Sequence, residues 1–507
     1  MAYADLREWL NALEGAGDLL QIGAEVHWDR EIGAITRLAF SEGGPALLFE
    51  NITGHRDTIS TRLFTGGLAT YARVAQAMGL PRQTHYRDLV NEYRQRLKTP
   101  MPFREVATGP VKENILLGDA VDLYQFPVPR WHHRDGGRYI VTFAGVVSRD
   151  PDSGVLNVGV YRGQVLNKHT IGFLLIGGQH IGQHFIKHQR RGEPMPVAVV
   201  LGWDPMLPFI ASAPVPAHVS EYDVMGAMRG EATDVVRCET VDLLVPATAE
   251  IVLEGQIGTD PSTFMMEGPF GEYTGYYGGL ESLKPAMDVT CITHRNDPIL
   301  RGTLEGTLPG MLNENSVTSA IQRAAVAWSI LDTNGVPGVV DVCVHPVTNG
   351  TNIVVAIKKF YRGHAKQVAA ALWGTGASQQ RYKHVMVVDD DIDIHDYAAL
   401  DWALAYRFNA GENDLVIFPG MIGSPLDPST RAEDNDVRRF GTGKWNRVLF
   451  DCTINWEFEP QEKWDGERYP PTVHLAQEDE DNVRRRWKEY GFKQELTHSA
   501  VKRGARD

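Results

Sequence analysis

A multidomain α/β fold, with helices and mixed sheets in separate units, is expected for this 507-residue chain from three changes of pattern along it. Between residues 113 and 315 the apolar runs are short, strand-like and closed by turn residues, which favours an antiparallel, barrel-like sheet. From residue 316 onward strand-like and helix-like stretches alternate, as in a layered α/β unit. Before residue 113, helical stretches surround one apolar strand-like run. The units expected are therefore an N-terminal α/β domain over 1–112, a central barrel-like domain over 113–315, a C-terminal α/β domain over 316–475, and a C-terminal helix and tail over 476–507.

Taken in order, Tyr3 to Gly17 places Leu6, Trp9, Leu10 and Leu13 at helical spacing, with Asp5 positioned to cap and Glu8 three residues later. Charges interrupt any apolar core there, so the segment reads as an amphipathic helix and not a signal peptide. Ala46 to Phe49 reads as a strand, and the charged, Pro-containing passage Tyr93 to Arg104 as a boundary. The central strands are expected at Tyr139 to Ser148, Val155 to Val165, Ile171 to Ile176 and Val197 to Leu201, with a turn at Asp150-Pro151-Asp152-Ser153-Gly154. Beyond residue 316 the pattern predicts helices at Val317 to Leu331, Ala365 to Trp373 and Tyr397 to Phe408. Strands are expected at Val339 to Val344, Ile353 to Ile357, Val385 to Val388 and Leu415 to Phe418.

Composition narrows the function classes. With 64 acidic against 50 basic residues the net charge is -14, which argues against nucleic acid or an anionic membrane as the main partner. No apolar run approaches the roughly 20 residues that span a bilayer. Cys238, Cys291, Cys343 and Cys452 are too scattered for a disulfide framework or a paired-cysteine metal site, and fit a reducing, cytoplasmic setting.

The chemistry concentrates in Glu267-Gly268-Pro269-Phe270-Gly271-Glu272, taken with Arg162 in Asn157-Val158-Gly159-Val160-Tyr161-Arg162. Two carboxylates in a Gly/Pro-punctuated stretch could present a proton donor and a charge partner to one pocket. The same stretch, read alone, is an ordinary solvated turn, and Arg162 alone is an ordinary strand-surface arginine. Further segments shift the reading: Gly43-Gly44-Pro45-Ala46-Leu47-Leu48-Phe49-Glu50-Asn51, Asp135-Gly136-Gly137-Arg138-Tyr139-Ile140, Gln179-His180-Ile181 and Glu267 to Gly275. With these ordered motifs the chain resembles the UbiD family of decarboxylases, which includes the ferulic acid decarboxylases.

The resemblance implies a central split β-barrel similar to flavin reductases, a C-terminal domain used in dimerisation, and non-oxidative, reversible decarboxylation of an aromatic, heteroaromatic or α,β-unsaturated acid. It implies prenylated FMN, supplied by a flavin prenyltransferase, which forms a covalent adduct with the substrate; nothing in the sequence itself is a flavin fingerprint. By that resemblance Glu272 is the proton donor, with Arg162 and Glu267 completing the network. Asn157, His180 and Glu221 hold Mn2+ or Mg2+ against the cofactor phosphate, a donor set suited to a hard six-coordinate ion. Val158, Gly159, Val160, Tyr161 and Gln179 line the flavin, Lys444 in Gly441-Thr442-Gly443-Lys444 contacts phosphate, and Ala211-Ser212 offers carbonyls to K+ or Na+. Read alone, His180 is a structural histidine in a Gly-rich turn and Glu221 a first-turn helix residue after Ser220.

Asp389-Asp390-Asp391 with Asp393 and His395 reads as an acidic helix N-terminus and not as a metal site. Trp131-His132-His133-Arg134 reads equally as a ligand contact or a packed turn. Tyr273 and the segment Leu304 to Asn315 are expected to shape the substrate pocket. Two other classes stay open: a flavin oxidoreductase, which NAD(P)H would bleach, and a carboxylate-pair hydrolase, which would need no flavin.

Overall fold

A computed structural model of the chain describes residues 3–306, 308, 311–435, 442–473 and 475–493. Its centre is an antiparallel sheet whose strand order is Tyr139–Val141, Gly163–Val165, Thr170–Phe173, Ala286–His294, Ile251–Ile257, Met195–Leu201, Gly145–Arg149 and Leu156–Gly159, with Asn114–Leu117 added on Ala286–His294. Both faces of this sheet are covered, and its central strand shows how. Along Met195–Leu201, Ala198 and Val200 join an apolar core shared with the first helix and the C-terminal unit, while Val197, Val199 and Leu201 join a second core with Phe126, Trp131 and Ile251. Alternate residues thus serve two cores, which is why the strand reads as an unbroken apolar run.

The N-terminal unit opens with the helix Leu6–Gly15. Asp5 accepts the Glu8 N–H at 2.9 Å, and the Glu8 carboxylate accepts the Ala4 N–H at 2.6 Å, so the cap is reciprocal but reaches one residue further back than a standard box. Leu6, Trp9, Leu10 and Leu13 are buried as the spacing predicts. The sheet of this unit, ordered Leu19–Ile22, Ala46–Phe49, Arg62–Thr65 and Ile299–Arg301, takes its fourth strand from the end of the central segment. In the C-terminal unit the order is Val339–Cys343, Asn352–Ile357, His384–Asp389, Gly443–Cys452 and Leu415–Gly423, with the helices Glu314–Thr333, His364–Trp373 and Tyr397–Tyr406 beside it. Beyond it lies the helix Gln477–Arg486; the tail from 494 falls outside the described residues.

Two expected strands are each broken. Tyr139 to Ser148 divides at Thr142-Phe143-Ala144, and Val155 to Val165 divides at Val160-Tyr161-Arg162. At the second break the Val160 N–H leaves the ladder and donates to Ala211 O at 3.2 Å. The chain therefore turns where Arg162 must point inward. Gly443–Cys452 is a ten-residue strand that the sequence pattern does not predict.

Candidate active site

Arg162 leaves the broken strand to meet both carboxylates of the Glu-Gly-Pro-Phe-Gly-Glu segment. Its Nη2 donates to Glu267 Oε2 at 2.9 Å and its Nη1 donates to Glu272 Oε1. All three side chains are buried, and Arg162 and Glu272 line a cavity of about 690 Å³. Glu267 lies just behind, where the Tyr139 hydroxyl donates to its Oε1 at 2.9 Å. Burial alone would lower the arginine, but Glu272 and Glu267 outweigh it and hold the guanidinium charged. Burial also raises the Glu272 carboxyl, against the pull of Arg162. A buried carboxyl raised in this way, open to a cavity and aimed by a guanidinium, is placed to exchange a proton with a bound ligand.

The loop holding this pair is fixed by Asp135-Gly136. Asp135 Oδ1 accepts the Gly271 N–H at 3.0 Å, and the Gly136 N–H donates to Pro269 O at 2.8 Å. A Cβ on Gly136 would sit 1.9 Å from Gly268 O, so only glycine permits this approach. Gly278 is constrained from the other side: a Cβ there would lie 2.7 Å from Glu272 Cγ and 2.9 Å from Arg162 Nη1.

The second group of residues lines the same cavity. His180, first residue of the helix His180–Arg191, has Nδ1 3.0 Å from Asn157 Oδ1. Glu221 opens the helix Glu221–Arg229 behind the cap Ser220, and its Oε2 accepts the Val158 N–H at 2.7 Å. Burial pushes the Glu221 carboxyl up to about 8 and lowers the His180 imidazole. An amide oxygen, an imidazole and a desolvated carboxylate are donors that fit a hard divalent cation. No cluster of three His, Cys, Asp or Glu side chains suited to a metal occurs among the described residues, and the third donor of this set is the Asn157 amide. Gly159, Val160, Tyr161, Gln179, Ala211 and Ser212 also face the cavity, whereas the Val158 side chain is in the core.

Lys444 is placed elsewhere. Its side chain is about half exposed, its ammonium is 3.2 Å from Asp434 Oδ1, and it does not line the cavity. In the acidic run, Asp389 and Asp391 hold Arg407, and His395 Nε2 lies 3.0 Å from Asp341 Oδ2. Tyr273 does line the cavity, with its hydroxyl 2.8 Å from Ser424 Oγ. Of Leu304 to Asn315, Glu305 and Asn315 face it; 307, 309 and 310 lie outside the described residues.

Glu305 was singled out by no motif. It is buried in the cavity wall, accepts from Asn315 Nδ2 at 3.2 Å, and is pushed up to about 8 by burial, with Glu272 adding to the shift. Behind it, His132 Nε2 lies 3.0 Å from Glu305 O, and burial beside Arg37 lowers its imidazole to about 4. The signal was a lone acid in an apolar Gly/Leu stretch, too slight to separate from a surface loop.

Three family profiles cover nearly the whole chain: the 3-octaprenyl-4-hydroxybenzoate carboxy-lyase N-terminal domain over 10–93, its Rift-related domain over 104–308 and its C-terminal domain over 316–452. The chain belongs to the UbiD family. It is 32% identical over 510 residues to the pyrrole-2-carboxylic acid decarboxylase of Pseudomonas aeruginosa, covering 96% of this chain and 98% of that one. The UbiD fold is shared with vanillic acid decarboxylase of Sedimentibacter hydroxybenzoicus in closed form, at a TM-score of 0.84 and 31% identity over 97% of this chain and 98% of that one. It is shared too with the UbiD-class enzyme HmfF of Pelotomaculum thermopropionicum in complex with FMN, at a TM-score of 0.77 and 32% identity over 94% and 98%. As a UbiD enzyme the chain is a carboxy-lyase, and no helix among its described residues is long and apolar enough to cross a membrane.

Proposed function

We propose that the chain carries out non-oxidative, reversible decarboxylation of a compact aromatic, heteroaromatic or α,β-unsaturated carboxylic acid, with Glu272 as the proton donor. The observation that carries this reading is the cavity-facing Arg162–Glu272 pair backed by Glu267. Loss of CO2 from an sp2 carbon needs an electron sink that no side chain offers, and prenylated FMN supplies it when bound. Asn157, His180 and Glu221 would hold Mn2+ or Mg2+ against the flavin phosphate, and the Ala211-Ser212 carbonyls a K+ or Na+. Gly159 to Tyr161 and Gln179 would line the flavin, within a central sheet that we read as the family's split barrel.

The protein's own groups then divide the work. Arg162 pairs with the substrate carboxylate and sets the direction of Glu272. Glu267, held by Tyr139, keeps Arg162 charged and fixed. Glu272, whose carboxyl burial raises against the pull of Arg162, gives a proton to the carbon that has lost CO2, and in the reverse direction takes one from it. Tyr273, which lines the cavity, would contact an aromatic substrate.

A homodimer is the assembly we favour. Trp402 and Tyr406 on the helix Tyr397–Tyr406, and Ile417 and Phe418 on the sheet-edge strand Leu415–Gly423, are exposed apolar residues of one unit, and a second copy of the chain would cover them. Light scattering checks this.

The decisive test of activity is expression with and without a flavin prenyltransferase, followed by CO2 release across a panel of carboxylic acids. Activity is expected only after co-expression, with a modified flavin absorbance. Equal turnover from both preparations, or flavin bleaching by NAD(P)H with no CO2, overturns the reading.

A further inference from the structure

Six arginines among the described residues are buried, and five have their charge or hydrogen bonds met within the fold. Arg73 pairs with Asp18, Arg162 with Glu267 and Glu272, Arg301 with Glu314, and Arg407 with Asp389 and Asp391. Arg447 has no carboxylate but donates to the carbonyls of Arg381, Ser378 and Ile422. Arg323 is the exception. It is 8% exposed, its guanidinium makes no ion pair or hydrogen bond among the described residues, and it lines the same cavity as Glu272.

A second arginine stands beside it. A Cβ on Gly350, which has a φ of 80°, would fall 2.2 Å from Arg323 Cδ and 3.2 Å from Arg381 Cδ, so both side chains pass the same point of backbone. Arg381 also lines the cavity, and among the described residues it has no carboxylate partner. Its guanidinium lies 4.7 Å from the centre of the Tyr273 ring, and it donates to Gln380 O at 2.7 Å and to the Tyr273 hydroxyl at 3.4 Å. Tyr382 ties the two segments together: its hydroxyl donates to Arg323 O at 2.8 Å and its N–H to Gly350 O at 2.8 Å.

A chain with 14 more acidic than basic residues (64 against 50) has placed two neighbouring guanidinium groups in one cavity wall and given neither a carboxylate among the described residues. Burying like charges together is costly unless a counter-charge arrives. Burial, with Arg381 next to it, lowers Arg323 to about 9, the direction an anionic ligand would reverse.

We infer that Arg323 and Arg381, with the Tyr273 hydroxyl, form an oxyanion site in the cavity wall that takes a phosphate or carboxylate group separate from the carboxylate that is lost. Two sources have this chemistry: the flavin phosphate, which rests on the reading above, and a second carboxylate on the substrate. The site supplies the cavity's cationic anchor that Lys444, outside it, does not.

The test uses the purified full chain and its Arg323→Gln, Arg323→Lys and Arg381→Gln variants. Binding of FMN is compared with riboflavin by flavin fluorescence, and binding of benzene-1,3-dicarboxylate with benzoate by calorimetry. If the phosphate is the ligand, both Gln variants bind FMN about tenfold more weakly or worse, riboflavin is unchanged, and Arg323→Lys recovers part of the loss. If a substrate carboxylate is the ligand, FMN binding holds while the preference for the dicarboxylate disappears. A wild type that binds neither flavin fails the cofactor reading and leaves the carboxylate pair to decide this one. Folded Gln variants that keep wild-type preferences in both pairs overturn the inference.

Discussion

Two buried arginine–glutamate clusters on this scaffold look alike as ion pairs and differ in everything that matters for chemistry. At the start of the helix Glu314–Thr333, Glu314 accepts from the Gly66 N–H and the Leu68 N–H, each at 2.9 Å, from the Thr303 hydroxyl at 2.7 Å, and from both terminal nitrogens of Arg301. Every lone pair is committed, and the carboxylate joins the N-terminal sheet to the C-terminal unit. Glu272 is held by Arg162, and its remaining capacity faces a cavity. A saturated carboxylate is a structural charge. One left incompletely satisfied can exchange a proton.

The same substitution should therefore give opposite readouts at the two sites. Glu314→Gln leaves Arg301 buried without its counter-charge and is expected to cost about 3–5 kcal/mol of stability in denaturant unfolding, with turnover per folded molecule retained. Loss of turnover at unchanged stability would show that this cluster, too, is part of the site. Glu272→Gln keeps size and hydrogen-bonding capacity but removes the transferable proton. Turnover should fall on the order of 10²-fold or more with flavin still bound and unfolding little changed, and Glu272→Asp should keep part of the activity. Reaction in deuterated water should place one deuterium on the carbon that lost CO2 in a Glu272-dependent way. A Gln variant that turns over like wild type would mean that the proton comes from another group.

Glu305 sharpens the contrast through pH. Its carboxyl is pushed up to about 8 from an ordinary value of 4.5. Below that ordinary value it is protonated in folded and unfolded chains alike and contributes nothing. Between it and about pH 8 the unfolded chain releases the proton while the folded chain retains it, so the folded state loses stability as pH rises through this window. Glu305→Gln should remove that loss: its melting temperature should match wild type near pH 4.5 and exceed it increasingly towards pH 8. A constant offset across the window would assign Glu305 a packing role only.

The legibility of these features in the sequence follows their physics. Arg162, Glu267 and Glu272 could be read because the Gly and Pro residues that force the loop into shape are local and distinctive. The strand breaks before Arg162 and at Phe143 could not, since apolar residues continue through both and the interruption is imposed by pairing with different neighbours. Gly443–Cys452 does alternate, with Gly443, Trp445 and Arg447 buried between exposed Lys444 and Asn446, but its opening glycines suggested a loop. Glu305 and Arg323 carry no local sign at all: one sits in an apolar loop, the other on an ordinary helix face, and only the fold brings them to the cavity.

The smallest expected effect is at Lys444. A lysine in a Gly-Thr-Gly-Lys stretch is chemically suited to phosphate, and the resemblance placed it there. Its position on a strand where neighbours alternate inward and outward makes the competing case: Lys444 points outward with its ammonium on Asp434, while inward-facing Trp445 is buried. An exposed pair of this kind contributes little to stability. Lys444→Ala is accordingly expected to change FMN affinity by less than about twofold and to leave unfolding unaffected, whereas Arg323→Gln should weaken one of the two oxyanion probes. Measured on the same FMN titration, the two variants assign the anchor. A tenfold loss at Lys444 with none at Arg323 would move the phosphate contact back to the strand Gly443–Cys452, and would require that strand to close over the cavity when flavin binds.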